Sequence, residues 1–220
     1  MSTIRGDIAD LYQVRGGLLK MARDPADNDL MRSEATALTR LQDAVDPALL
    51  ACFPPLVATG QRDDARSGIR RHVNLIGAFG GFLSLADVRS AFPAGVDPRD
   101  AAWMWRRLLV AIGAAHRAGV IHGAVLPEHV LIHPAEHGLV LVDWCYSVSG
   151  PAGRVRAVVR RYQRWYPPEA PPSPAAVCWP ARAADRRTRG ACWPSSTSCS
   201  SGCTGRARSA PSPCRPRETQ

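Results

Sequence analysis

The segment from Ile121 to Cys145 constrains this chain more than any other. A short polar loop, Gly123 to His129, lies between two apolar runs. The second run, Leu139 to Val142, is rich in Leu and Val and ends on Asp143. A run of that composition is a buried strand, and a buried strand with an acid at its end presents a metal ligand at a cleft. A strong helix leads directly into this segment. Asp97-Pro98-Arg99-Asp100 caps it, it runs from Ala101 to Ala118, and Gly119 ends it. Trp103, Leu108, Leu109, Ile112, Ala115 and His116 are its expected buried face, with His116 a packed or solvent-edge residue rather than a ligand. The plainer alternative is a strand–turn–strand unit in which Asp143 carries no chemistry.

The first eighty residues form a sheet on this reading. Ile8 to Val14 and Leu18 to Ala22 are short strands joined at Gly16-Gly17. Asp24 to Asp29 is a turn, and Leu30 to Asp43 is a helix whose apolar stripe is Leu30, Met31, Ala35, Leu38 and Leu41. Phe53 to Gly60 and Arg71 to Ile76 are two more strands around a polar turn. Gly80-Gly81 punctuates the chain, and a short helix follows from Ser84 to Ala91.

Of the 28 basic residues one alone is Lys, Lys20, in the strand Leu18 to Ala22. A chain that uses Arg wherever a cation serves keeps a compact ammonium where the planar guanidinium fork does not fit. The alternative is an edge-strand Lys in solvent. Glu34 lies fourteen residues later within the first helix. Its alternative is an exposed Glu beside Arg32 and Arg40.

Taken in order, these segments resemble the protein kinases, specifically a bacterial serine/threonine kinase-type domain in degenerate form. His122 to His129 resembles the catalytic loop H-R-D-L-x-x-x-N, and Asp143-Trp144-Cys145 resembles D-F-G. His122 and Asp143 match, whereas Ala124 stands at the catalytic Asp and His129 at the metal-binding Asn. Leu126 stands where a phosphate-neutralising Lys often sits. Gly6 to Tyr12 resembles the end of a Gly-rich phosphate loop, with Ala9 replacing a glycine and the strand before it missing or very short. Tyr146 to Arg161 corresponds to the activation segment, and Trp165 to Glu169 resembles A-P-E with Pro167 in place of Ala. The resemblance implies an α+β, two-lobed fold: a small antiparallel-sheet lobe over 1–80, a partial large lobe over 81–170, and a tail over 171–220. It further implies that Lys20 pairs nucleotide phosphates, that Glu34 holds Lys20, and that Asp143 binds Mg²⁺. Catalytic positions are then Lys20, Glu34 and His122; nucleotide-binding positions are Gly6, Lys20 and Asp143; the metal position is Asp143.

Residues 171–220 hold eight each of Pro, Ser, Ala and Arg and no Leu, Ile, Met, Phe, Tyr, Lys, His or Asn. Such a segment cannot bury enough apolar surface to order itself, so it is expected to be disordered. Its usage resembles a GC-rich message read out of frame; a genuine linker or RNA-binding tail is the rival. Kinase large lobes continue past A-P-E with further helices, so the resemblance implies a large lobe incomplete at its C-terminal side. The tail also carries +6 of the net charge of +9, which argues against a nucleic-acid surface on the remainder. Five of the seven Cys lie there without a C-x-x-C pair or a nearby His, which argues against zinc. No apolar run is long enough for a membrane span and Met1 to Asp10 has no signal-peptide core, so the cytoplasm is the expected compartment.

The expectation from sequence is a pseudokinase that binds ATP and Mg²⁺ weakly or not at all and acts through contacts with a protein partner the sequence does not name. A weakly active ATP-dependent serine/threonine kinase using His122 or Asp143 as base is a second expectation. An Arg-rich nucleic-acid-binding protein is a third.

Overall fold

The computed structural model describes residues 3–65, 67–150 and 160–166, all of which belong to one compact unit. In chain order the elements are strands β1 (Thr3–Arg5), β2 (Ala9–Val14) and β3 (Gly17–Ala22), helix α1 (Asn28–Ala44), strands β4 (Leu56–Asp63), β5 (Arg70–Gly77) and β6 (Leu83–Ser84), helices α2 (Leu85–Ala91) and α3 (Pro98–Arg117), and strands β7 (Val120–Ile121), β8 (Val130–His133), β9 (Gly138–Leu141) and β10 (Val148–Ser149). The fold class is α+β. Its largest sheet is five-stranded and antiparallel throughout, in the order β1-β2-β3-β5-β4, the arrangement of a kinase-like small lobe. The segments expected at 151–159 and 167–220, including the end of the A-P-E-like motif and the whole tail, lie outside the described residues.

The strand before Gly6 exists but has three residues. Between β1 and β2 the Gly6 N–H donates to the Ala9 carbonyl at 2.9 Å. A Cβ on Gly6 would come within 2.5 Å of that oxygen, so the turn requires glycine. β3 is an interior strand, with Lys20 opposite Leu11 of β2 and Asn74 of β5. Lys20 is therefore not an edge residue. The second hairpin is shifted from the expected position: Phe53 to Pro55 is not strand, and pairing runs instead from Leu56 to Asp63. Two consecutive prolines have no N–H for a ladder, and Phe53 turns inward to pack on Trp144 with ring centroids 5.7 Å apart.

Helix α1 lies against the sheet. Leu30, Met31, Ala35, Ala37, Leu38 and Leu41 are buried, and Glu34 is buried among them at 0% exposure. Its far end is tied to α3, because the Arg40 Nε donates to the Ala118 carbonyl at 2.6 Å. Ser84 is the N-cap of α2 rather than its first residue: its Oγ accepts the Asp87 N–H, and the Asp87 carboxylate accepts the Ser84 N–H.

Helix α3 begins at Pro98, three residues before the expected Ala101, with the Asp97 carboxylate accepting the Arg99 N–H at 2.7 Å. Its buried face differs. Leu109 and His116 are exposed, while Trp103, Leu108 and Ile112 are half-buried. The fully buried seam is Ala111, Ala114, Ala115 and Ala118. Small residues at helical spacing bring the helix backbone close to β7 and β9, and bulkier side chains are displaced to the flanks.

β8 and β9 form a hairpin in which Val130 faces Leu141 and Ile132 faces Leu139. Val130, Ile132, Leu139 and Leu141 join Leu38, Leu41 and the α3 alanines in one core. β10 returns beside β7, which places the loop 122–129 and Asp143 at the same end of the hairpin.

Leu38→Ala is expected to lower stability by about 2–5 kcal/mol, because a fully buried side chain leaves a cavity. Leu109→Ala is expected to change it by less than about 0.5 kcal/mol. Urea denaturation of the two variants checks the buried position of Leu38 on α1 and the revised face of α3.

Candidate functional site

The site is built around the Lys20 ammonium. Lys20 stands on an interior strand and is 4% exposed. Its Nζ donates to Glu34 Oε1 at 2.9 Å, to Asp143 Oδ1 at 2.9 Å and to Cys145 Sγ at 3.2 Å. An ammonium has three N–H donors, and here all three are used. Burial taken alone would push the Lys20 pKa down, but Asp143 and Glu34 more than offset it, and the ammonium is held well above its ordinary range. Asp143 is the mirror case. Burial would raise its carboxyl, yet the Lys20 ammonium and His129 hold it below the usual carboxylate range. Burial and the Glu34 carboxylate push the Cys145 thiol up, so the sulfur is a neutral partner.

Each acid is held from behind. Glu34 Oε2 accepts from the Asn74 amide at 3.0 Å, which also donates to the Met31 carbonyl at 3.0 Å and accepts from Thr59 at 2.8 Å. Glu34 Oε1 additionally accepts the Trp144 N–H at 3.3 Å. Asp143 adopts a left-handed backbone, φ 62°, which turns the chain sharply after β9. Left-handed geometry costs a non-glycine residue about 1–2 kcal/mol, with Asp among those that tolerate it best. The Trp144 ring is fully buried against Phe53 and His122, and its Nε1–H donates to the Leu141 carbonyl at 2.8 Å.

Both nitrogens of His122 are engaged. Nε2 faces the Val142 carbonyl at 2.9 Å and Nδ1 accepts the Ala124 N–H at 3.2 Å. Burial pulls its pKa from 6.5 to about 4, with the Val142 carbonyl opposing and His129 adding to the effect. His122 is thus a neutral brace between the loop and β9, without a nitrogen free to take a substrate proton. Ala124 is buried, with only a methyl group at the position expected for a base. His129 faces the Ala124 carbonyl through Nδ1 at 2.8 Å, and its Nε2 lies 3.3 Å from Asp143 Oδ2. Tyr166 donates its hydroxyl hydrogen to the Gly123 carbonyl at 2.9 Å, which ties the segment 160–166 to the loop.

These groups border a cleft of about 600 Å³. Ile4, Leu11 and Leu18 line it from the sheet, and Leu131 and Val142 from the opposite side. Phe79 and Phe82, 5.9 Å apart and edge to face, lie at the link between the two. Gly6 lies at the margin, but its N–H is turned onto Ala9 and cradles nothing. The structure thus brings Lys20, Glu34 and Asp143 into direct contact, with His122 beneath them and Gly6 outside the cluster.

The resemblance implies a nucleotide and Mg²⁺. A cleft of this size with apolar walls lies within the range of small-molecule sites. The donor set does not fit Mg²⁺, which requires oxygen ligands in near-octahedral array. Glu34, Asp143 and Cys145 point ligand atoms at one focus, but that focus is filled by the Lys20 ammonium. The remaining Asp143 oxygen faces a histidine nitrogen.

Over 58 residues, 26% of this chain, the sequence is 36% identical to casein kinase II subunit alpha' of Saccharomyces cerevisiae. The matched region spans 17% of that relative's length. No family model matches the chain. The similarity is to part of a protein kinase, which agrees with a kinase-like relationship and specifies nothing finer.

Cys145, His129 and Asn74 are site residues that sequence reasoning did not place in the ion cluster. Asn74 had a signal: it is the lone polar residue within Val73-Asn74-Leu75-Ile76.

Lys20→Met leaves two carboxylates without their cation and is expected to cost about 3–5 kcal/mol. Adding Glu34→Gln is expected to recover part of that loss, and a urea double-mutant cycle reads the coupling. A second outcome concerns pH. The unfolded chain protonates His122 near 6.5, whereas the folded chain does so near 4. The stability contributed by the neutral ring is complete above the higher value and is lost as pH falls to the lower, about 3 kcal/mol in all. Denaturation midpoints across that window, steeper for the parent than for His122→Gln, check it.

Proposed function

We propose that this chain is a degenerate kinase-like protein of the serine/threonine type, a pseudokinase, which binds nucleotide weakly and acts through contacts with a protein partner in the cytoplasm. One observation carries the reading: Lys20, Glu34 and Asp143 meet within hydrogen-bond distance, while the position facing them in the loop is Ala124. The Lys–Glu–Asp contacts that a phosphotransfer site uses are present, and the proton-accepting residue is missing. A positioned general base contributes ~10²–10⁴-fold in rate, and here the metal position is compromised as well. Asp143, held below the usual carboxylate range by the Lys20 ammonium and His129, is a poor base. The weakly active alternative therefore lacks an efficient proton acceptor.

Two further observations support this reading: the partial identity to a protein kinase and the five-stranded antiparallel sheet. Among the described residues no helix is long and apolar enough to cross a membrane. The nucleic-acid alternative rests on residues 171–220, outside the described region.

The full chain, incubated with radiolabelled ATP, Mg²⁺ and a mixed protein acceptor, is expected to transfer no label above the level of Lys20→Met. Transfer abolished by Lys20→Met would establish a working kinase and remove the pseudokinase reading.

A further inference from the structure

Resting on the reading of the cleft as a nucleotide-type pocket, we infer that it recognises an uncharged planar ring, a nucleoside without its phosphates, and that neither Mg²⁺ nor a triphosphate takes part.

Three observations converge. The first is the exhaustion of donors. All three Lys20 N–H groups are spent on Glu34, Asp143 and Cys145, and the Gly6 N–H on Ala9. A phosphate oxygen therefore finds neither of the two donors that the resemblance assigns to it. Contact with Lys20 would also draw the ammonium away from the fully buried Glu34 and the half-buried Asp143, which is the costly direction.

The second is the state of Asp143. Oδ1 faces Lys20 and Oδ2 faces His129. A divalent ion at either oxygen would also meet the Cys145 sulfur or the His129 imidazole. Mg²⁺ selects oxygen and discriminates against both.

The third is the sign of the field. Among the described residues, Glu34, Asp87, Glu128 and Asp143 line the cleft against the formal cations Arg5 and Lys20. Even a charged His129 leaves carboxylates in excess. In kinase-type phosphoryl transfer the metal bridges the phosphates and neutralises their charge. Without it a polyanion is repelled from a cleft of like sign. The apolar walls, Leu11 and Leu18 facing Leu131 and Val142, carry no such penalty. They offer burial to a flat ring at roughly 25 cal/mol per Å² of apolar surface.

Calorimetric titration of the full chain with adenosine, with ATP in excess EDTA and with ATP in Mg²⁺ tests this. Adenosine is expected to bind at least as tightly as ATP, and Mg²⁺ to leave the ATP affinity unchanged. Leu131→Arg, which places a long side chain in the slot, is expected to abolish adenosine binding while thermal melting shows the fold intact. Glu128→Lys changes an exposed residue at the cleft margin. It is expected to tighten ATP in EDTA on the order of fivefold and to leave adenosine unchanged. ATP·Mg²⁺ binding more tightly than adenosine, with the advantage lost in EDTA, would overturn the inference and leave the nucleotide-pocket reading standing. Failure of every adenine ligand to bind would overturn both. Adenosine binding that survives Leu131→Arg in a folded protein would place the ligand elsewhere and overturn the inference alone.

Discussion

One buried ammonium holds together parts of the chain that are otherwise far apart. Lys20 lies on β3, Glu34 on α1, and Asp143 beyond β9, a separation of 123 residues between the first and the last. A buried charge without partners is among the most costly features a fold can contain. Each of the three elements is therefore constrained by the other two. The helix must present Glu34 inward, β3 must be interior, and the chain after β9 must turn back sharply. The left-handed backbone of Asp143 and the inward Trp144 follow from the last requirement. Asn74, Thr59 and Met31 extend the network behind Glu34 and fasten it to the sheet.

The same compactness bears on function. A cluster in which each donor meets an acceptor is stable because little is left over for a ligand. Lys20 is neutralised in place, Asp143 is engaged from both sides, and His122 braces the loop with both nitrogens. The arrangement favours a structural use of residues whose pattern resembles catalytic ones. What stays open to a ligand is the apolar part of the cleft, on the side of Leu131 and Phe82.

Much of this was legible in the sequence, for identifiable reasons. Lys20 stood out because it is the lone Lys among 28 basic residues. Glu34 stood out because it interrupts an apolar stripe at helical spacing. Asp143 was visible as an acid ending a Leu/Val run. What was not legible depends on partners distant in sequence. Alanine says little about burial, so Ala111, Ala114 and Ala118 were passed over for the bulkier Leu109, and Ala115 alone of the seam was expected. Helix periodicity shows where a stripe lies but not how closely the neighbouring strand approaches. The displaced β4 was a matter of prolines, whose missing N–H groups could have moved the strand start to Leu56. His129 facing Asp143, and Cys145 facing Lys20, arise from the turn at Asp143 and have no local signature.

The bond from Arg40 to the Ala118 carbonyl gives the ion cluster a mechanical reach. Arg40 is six residues beyond Glu34 on the same rigid rod, and its anchor is the last turn of α3. Rolling α1 about its axis far enough to withdraw Glu34 from Lys20 would break that anchor. The bond thus links the C-terminal end of α3, through α1, to the carboxylate that partners the buried ammonium.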